Sequence, residues 1–451
     1  MRQDDSGPTG RTGRTGVTGR TRGVVFFAIL TCSHPAYPAV PAYPAPQISV
    51  EQAIRDLSSP DANVRFRTAQ ILKEAVYPEA AEPLVPLISD PQDEVQLEAI
   101  AAELNIFLAE KIVPRRRIGR VIEVRNAVMA EPLFSTGPLA IGSRPVPAAV
   151  LTALRGASRD DNRRVGLEAL YAFGVLAVEP GGTARRDLLR ITGPDVAALI
   201  GAVDPALRYA AIRVLGRVFS KRSDDPPIDP VVGDAIVGAL NDRDNAVKRA
   251  AMQALGDLRH DRAVQALTEL FQFHAKGPLA EASLDALARI AHPGSGPLFT
   301  DVLATKTATL KGIAIEGLAR LGDTQQLPAI EKALAGERSD PTRLAGRFAA
   351  AMLAKASIDP IAEALARPKL RDQAKQYLIE LAPGCTSALA PLLQDPTARV
   401  RIDAVDAIAL GGDASAISVV EPLSRDADPQ VARAAERALA RLRQTVTQLT
   451  R

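Results

Sequence analysis

An all-α solenoid of about eleven to twelve short helical hairpins is the fold this sequence predicts. Three observations predict it. A helical phrase recurs along most of the chain at a spacing near 31 residues. Each copy carries the same apolar, small, apolar series at helical offsets. No stretch alternates apolar and polar residues as a half-buried strand would. A unit this short cannot enclose a core of its own, so neighbours must stack to bury one.

The phrase reads DRDNAVKRAAMQALGDL at 242–258, DPTARVRIDAVDAIAL at 395–410 and DADPQVARAAERALARL at 426–442. Its anchors are Val64, Val95, Val165, Leu207, Val247, Leu279, Leu310, Ala345, Leu370, Val400 and Val431. Four places on, the residue is small in every copy: Ala in nine, Thr68 and Ser283 in the others. Eight places on it is large and apolar, from Leu72 to Leu439, except for Glu103 in the copy at Val95. Offsets of four and eight share one helical face, and a small residue between two larger ones admits a neighbouring helix.

Polar positions follow the same register. Asp90, Asp160, Asp242, Asp340, Asp395 and Asp426 stand five residues before an anchor, where a carboxylate suits a turn or helix N-cap. Arg65, Arg208, Lys248, Lys311, Arg371 and Arg401 follow the anchor directly. These rows are expected to cap helices and pair between repeats rather than to bind a ligand. A second helix completes the unit, as in AVQALTEL from Ala263, LPAIEKAL from Leu327 and AISVVEPL from Ala416. Turns such as GDTQQ and GGDAS precede two of these.

These phrases resemble the HEAT-like (armadillo-like helical) repeats found in phycobilisome lyases and in many bacterial interaction proteins. The resemblance spans residues 50–443 and implies a fold far more than an activity. Tetratricopeptide repeats fit less well, since they favour a Trp and this chain has none. A HEAT-like diiron hydroxylase would use His-Glu pairs, and no His-Glu dipeptide occurs.

The solenoid is expected over residues 47–445, with an irregular block at 105–147 and a tail at 446–451. Residues 1–46 read as a leader and linker: basic GRTGRTGVTGRTRG, apolar VVFFAIL, then Pro-rich HPAYPAVPAYPAP. That order predicts a secretory signal and a periplasmic or secreted protein; a cytoplasmic leader is the alternative. The apolar run is too short to span a bilayer, so no stable transmembrane segment is expected. Removal of the leader would leave Cys385 as the sole cysteine.

Composition narrows the function. The net charge of +3 resides in residues 1–23, with five Arg against two Asp, leaving 50 basic and 50 acidic residues in the body. A neutral body argues against nucleic-acid capture, which draws on several phosphate contacts. The degraded stretch KIVPRRRIGRVIEVR at 111–125 offers Arg115, Arg116, Arg117, Arg120 and Arg125 as candidates for an acidic partner; a solvated charge run is the plainer reading.

His260 and His292 recur thirteen residues after their anchors, a place filled elsewhere by Asp323 and Asp413. They are weak metal candidates, and a polar turn between paired helices is the simpler expectation. No GxSxG, HExxH or paired-cysteine motif occurs. The sequence thus predicts a non-catalytic scaffold for a protein or peptide, without a cofactor. A repeat-based lyase- or hydroxylase-like enzyme (or enzyme subunit) acting on a protein-bound group is the alternative, and nucleic-acid binding the third reading.

Overall fold

Most units fold as the periodicity requires, into a long first helix, a polar turn and a shorter second helix. The structure, a computed structural model, describes residues 49–449 apart from 110–127, 138, 140, 143, 178–181, 221–227, 306 and 383. A short helix, α1 (Val50–Asp56), leads into α2 (Ala62–Ala75) and α3 (Ala81–Leu84). Then come α4 (Asp93–Phe107), α5 (Ala130–Thr136) and α6 (Ala148–Ala157). The next pairs are α7 (Arg163–Leu176) with α8 (Gly182–Ala198), α9 (Pro205–Val218) with α10 (Pro230–Gly238), and α11 (Asn245–Asp257) with α12 (Val264–His274). They continue as α13 (Pro278–Ile290) with α14 (Gly296–Leu303), α15 (Ala308–Leu321) with α16 (Leu327–Leu334), and α17 (Asp340–Ala354) with α18 (Asp359–Glu363). The series closes with α19 (Arg371–Glu380) and α20 (Thr386–Leu389), α21 (Ala398–Gly411) and α22 (Ile417–Val420), and α23 (Pro429–Leu449). Among the described residues no strand forms, and the one isolated bridge joins Leu108 to Ile141.

The eleven anchors lie on or directly before eleven first helices, and each of these helices packs on the next to form one continuous row. The small residue four places after the anchor is the point of closest approach. Ala99, Ala169, Ala211, Ala251, Ser283, Ala314, Ala349, Ala374, Ala404 and Ala435 are all fully buried there. The larger residues eight places on, Leu72, Phe173, Leu215, Leu255 and their counterparts, fill the space behind. Close packing of this kind is felt at the level of single methylenes, which explains why the size pattern is so regular.

The polar rows form a repeated staple. Arg65, Arg208 and Arg401 each grip the aspartate of the following repeat through two nitrogens: Asp90 at 2.6 and 2.9 Å, Asp242 at 2.7 and 3.0 Å, Asp426 at 3.0 and 2.8 Å. The same carboxylates accept a backbone N–H two residues on, from Gln92, Asp244 and Asp428. Each guanidinium also donates back to the loop before its own helix, at Ser59, Ala202 or Asp395. The helix N-cap proper falls two residues after the turn aspartate or its equivalent, on Asp61, Asn162, Asp204 and Asp244. The other three basic positions depart from the scheme: Lys311 reaches Glu337 at 2.7 Å, Arg371 turns to Asp403 at 3.1 Å, and Lys248 does not form the staple.

The staple has a measurable acid limb. The hydrogen bond from Arg208 holds Asp242 below the ordinary carboxylate range, and Arg401 does the same for Asp426. A depressed folded pKa contributes stability that is present above the unfolded value and lost as pH falls through the folded one. Both partners are partly exposed, so Arg208→Ala is expected to cost only about 1–2 kcal/mol in urea denaturation at pH 7. Its deficit against the parent should shrink as pH falls below about 4; a deficit that persists undiminished in acid would remove the pair as its cause.

One interval differs from the sequence reading. The 70 residues between the anchors Val95 and Val165 suggest two units with the middle one degraded, yet the described residues among them form a single unit. α7 packs directly on α4, and α6 packs on the short 3-10 turn Val85–Ser89 of the preceding unit. The extra length is an insertion within the unit, between its first helix α4 and its second helix α6.

Candidate functional site

Two further positions of the first helices, six and ten residues after the anchor, lie one turn apart on a face that the core does not use. They are polar in most copies: Arg213 and Arg217 on α9, Asp257 on α11, Asp285 and Arg289 on α13, Glu316 and Arg320 on α15, Gln376 and Glu380 on α19. Stacking sets these pairs side by side and converts a dispersed pattern into a charged ladder.

Its ion pairs run both along and between helices. Arg289 bridges Asp285 at 2.8 Å on its own helix and Asp257 at 3.0 Å on the preceding one. Arg320 contacts Glu316 one turn away at 3.3 Å. It also holds Glu380 through two nitrogens at 2.8 and 3.0 Å, reaching from α15 past α17 to α19. That reach shows the first-helix row to be the inner row of a curve, since helices two units apart meet across it. Beneath, Phe348 of α17 stacks on Tyr377 with centroids 4.3 Å apart, and the Arg320 guanidinium lies 5.4 Å from the Phe348 ring centre. The Tyr377 hydroxyl donates to Glu316 and accepts from Gln373 at 2.7 Å.

Burial governs the charge state of these groups. It raises Glu316, against the pull of Arg320 and of the Tyr377 hydrogen bond. It brings Asp257 to about 6, opposed by Arg289. Burial also acts upward on Glu380, but the hydrogen bond and charge of Arg320 outweigh it and leave that carboxyl below its ordinary value. Two cations thus hold the network, Arg289 between Asp257 and Asp285 and Arg320 between Glu316 and Glu380.

The ladder forms the wall of an open groove of about 510 Å³. Gly256, Arg259, Arg289 and Arg320 line one side, and Asp372, Lys375, Gln376 and Glu380 the other. Lys375 is tied to Asp406 at 2.7 Å and, with Arg371 and Arg399, surrounds the buried carboxylate of Asp403. Arg259 and Asp372 are exposed and free to meet an incoming group. The surface is tied by ion pairs and of mixed charge, able to take both signs from a partner's backbone and side chains.

The sequence-nominated residues fall elsewhere. Arg115, Arg116, Arg117, Arg120 and Arg125 lie outside the described residues. His292 caps the turn after α13, its Nδ1 accepting from the Gly294 N–H at 3.1 Å, as Asp323 and Asp413 do in their copies. His260 is buried against Gly233 of α10, where a Cβ would lie 2.4 Å from the imidazole, and burial holds its pKa below the usual value. Among the described residues no group of three potential metal ligands converges. Cys385 is buried, donates weakly to the Leu378 carbonyl, and has its thiol pushed up by burial. The ladder was missed in the sequence, although charges recurring six and ten residues after successive anchors were its available signal.

Residues 194–276 match the HEAT repeats family. No curated protein matches the chain. Among solved structures, an engineered protein is similar at a TM-score of 0.44 and 19% identity, with 87% of this chain and 98% of that one covered. The complex of CpcE and CpcF of phycocyanin lyase from Nostoc sp. PCC7120 is similar at a TM-score of 0.38 and 19% identity, covering 58% of this chain and 96% of that one.

Proposed function

We propose that this chain, a HEAT-like repeat protein, is a non-catalytic scaffold that binds a protein or peptide along the inner row of its solenoid. The observation that carries the reading is the groove between α11 and α19, whose charged walls are fixed by mutual ion pairs before any partner arrives. Preorganised side chains lose little entropy on binding, so such a wall favours recognition. The reactive candidates Cys385 and His260 are both buried, which supports binding over chemistry. The basic, apolar, Pro-rich order of residues 1–46 supports an extracytoplasmic location.

A photo-crosslinking residue at Asp372, on the groove wall, is expected to capture a stoichiometric partner in the native cell. The same probe at Glu331, exposed on the second helix α16, should not capture it. Equal capture at both positions, or none at Asp372, would reject the groove as the binding face. Mass spectrometry of the recovered chain should also show the first ~30–45 residues removed, on the usual signal length. An intact N-terminus in the cytosol overturns export.

A further inference from the structure

The insertion in the α4–α6 unit leaves the repeat and returns at one place. The Gly142 N–H donates to the Phe107 carbonyl at 2.8 Å, and Leu108 bridges to Ile141 beside it. Between these closing contacts α5 crosses the inner row and is held by α7 and α9. Glu168 of α7, only 4% exposed, accepts from the Met129 and Ala130 N–H groups at 2.5 and 2.9 Å. Glu131 lies 3.6 Å from Arg213 and 3.5 Å from the Tyr171 hydroxyl. Phe134 is buried edge-on against Tyr171, with the guanidiniums of Arg213 and Arg217 at 4.9 and 4.7 Å from its ring centre. Arg217 also donates to the Phe134 carbonyl.

The register gives this arrangement its meaning. Tyr171, Arg213 and Arg217 occupy the sixth and tenth places after their anchors, the same positions that line the open groove from α11 to α19. Gly174 makes the room, since a Cβ there would stand 2.7 Å from the Phe134 ring. A ring set between two guanidiniums, with a carboxylate three residues before it against one of them, is an anchored pair of side chains on one helical face.

We infer that α5 is a built-in occupant of the inner face, and that the α7–α9 wall is a recognition site for a partner's short helix carrying a carboxylate three residues before a phenylalanine. This rests on the reading of the inner row as the binding surface. A partner of that chemistry reaches the wall by displacing α5, so its apparent affinity is reduced by the fraction of time that the wall is free.

The test uses a fluorescein-labelled peptide of residues 128–137 and the full chain. Glu131→Ala/Phe134→Ala, which loosens α5, should bind the peptide at least about ten-fold more tightly than the parent chain does. A peptide with Phe134→Ala should not bind either. A folded variant, judged by unchanged helical circular dichroism, that fails to bind or binds no better than the parent overturns the proposal. Should that variant not fold, residues 110–139 can be replaced by a Gly/Ser linker, because Leu108 and Ile141 already adjoin. If this chain also fails to fold, α5 is an integral part of the core and the proposal falls. Capture at Asp372 reads the groove reading separately, so success there with peptide failure rejects only the α5 site.

Discussion

Arg320→Ala is expected to lower stability by about 3–5 kcal/mol, the range for breaking a buried pair by removing one partner. The Arg320 side chain is 6% exposed and neutralises two carboxylates from different repeats, Glu316 and Glu380. Removing it leaves Glu316 buried with only the Tyr377 hydroxyl, and costs the contact with the Phe348 ring. It also removes the ion pair between α15 and α19, leaving the Tyr377–Glu316 hydrogen bond as the remaining link described between those two helices. Urea denaturation followed by helical circular dichroism measures the loss. Adding Glu316→Gln should recover part of it, because an amide no longer carries an uncompensated charge. A loss under about 1 kcal/mol would place the ladder among ordinary surface pairs.

Glu103→Leu should act in the opposite direction and stabilise the fold by about 1–3 kcal/mol at pH 7. Glu103 stands where other copies carry Leu, Phe or Ile; it is fully buried, and neither carboxylate oxygen has a hydrogen-bond partner. Burial raises its pKa well above the ordinary 4.5. For an acid raised in this way the folded state holds the proton more tightly, so stability falls as pH rises from the unfolded pKa to the folded one, then levels off. Glu103→Gln keeps the size and removes this slope; Glu103→Leu removes it and adds apolar burial. The measurement is the midpoint of urea unfolding from pH 4 to pH 8. If the parent and the Gln variant run parallel over that range, Glu103 does not carry the penalty.

Much of this molecule could be read from the chain. The eleven anchors, the small residues four places on and the buried row eight places on all took their expected positions, because each reflects a local spacing repeated many times. The Arg208–Asp242 staple was legible for the same reason: its partners sit at fixed places in successive units. The deviation at Glu103 was visible as a break in the pattern, though only the structure shows that nothing pairs with it. The insertion was misread as a degraded unit, since spacing alone does not distinguish a poor repeat from an excursion out of one.

What the sequence determined by itself is therefore the repeat, its buried register and the ties between neighbours. These depend on helical geometry within about one unit. Tertiary structure alone decided that Arg320 meets Glu380, sixty residues on, and that α5 lies over Arg213 and Arg217. The first follows from the stacking of α15, α17 and α19, and the second from the path of the insertion between α4 and α6. No single repeat encodes either, so the inner face and what fills it appear only once the units are stacked.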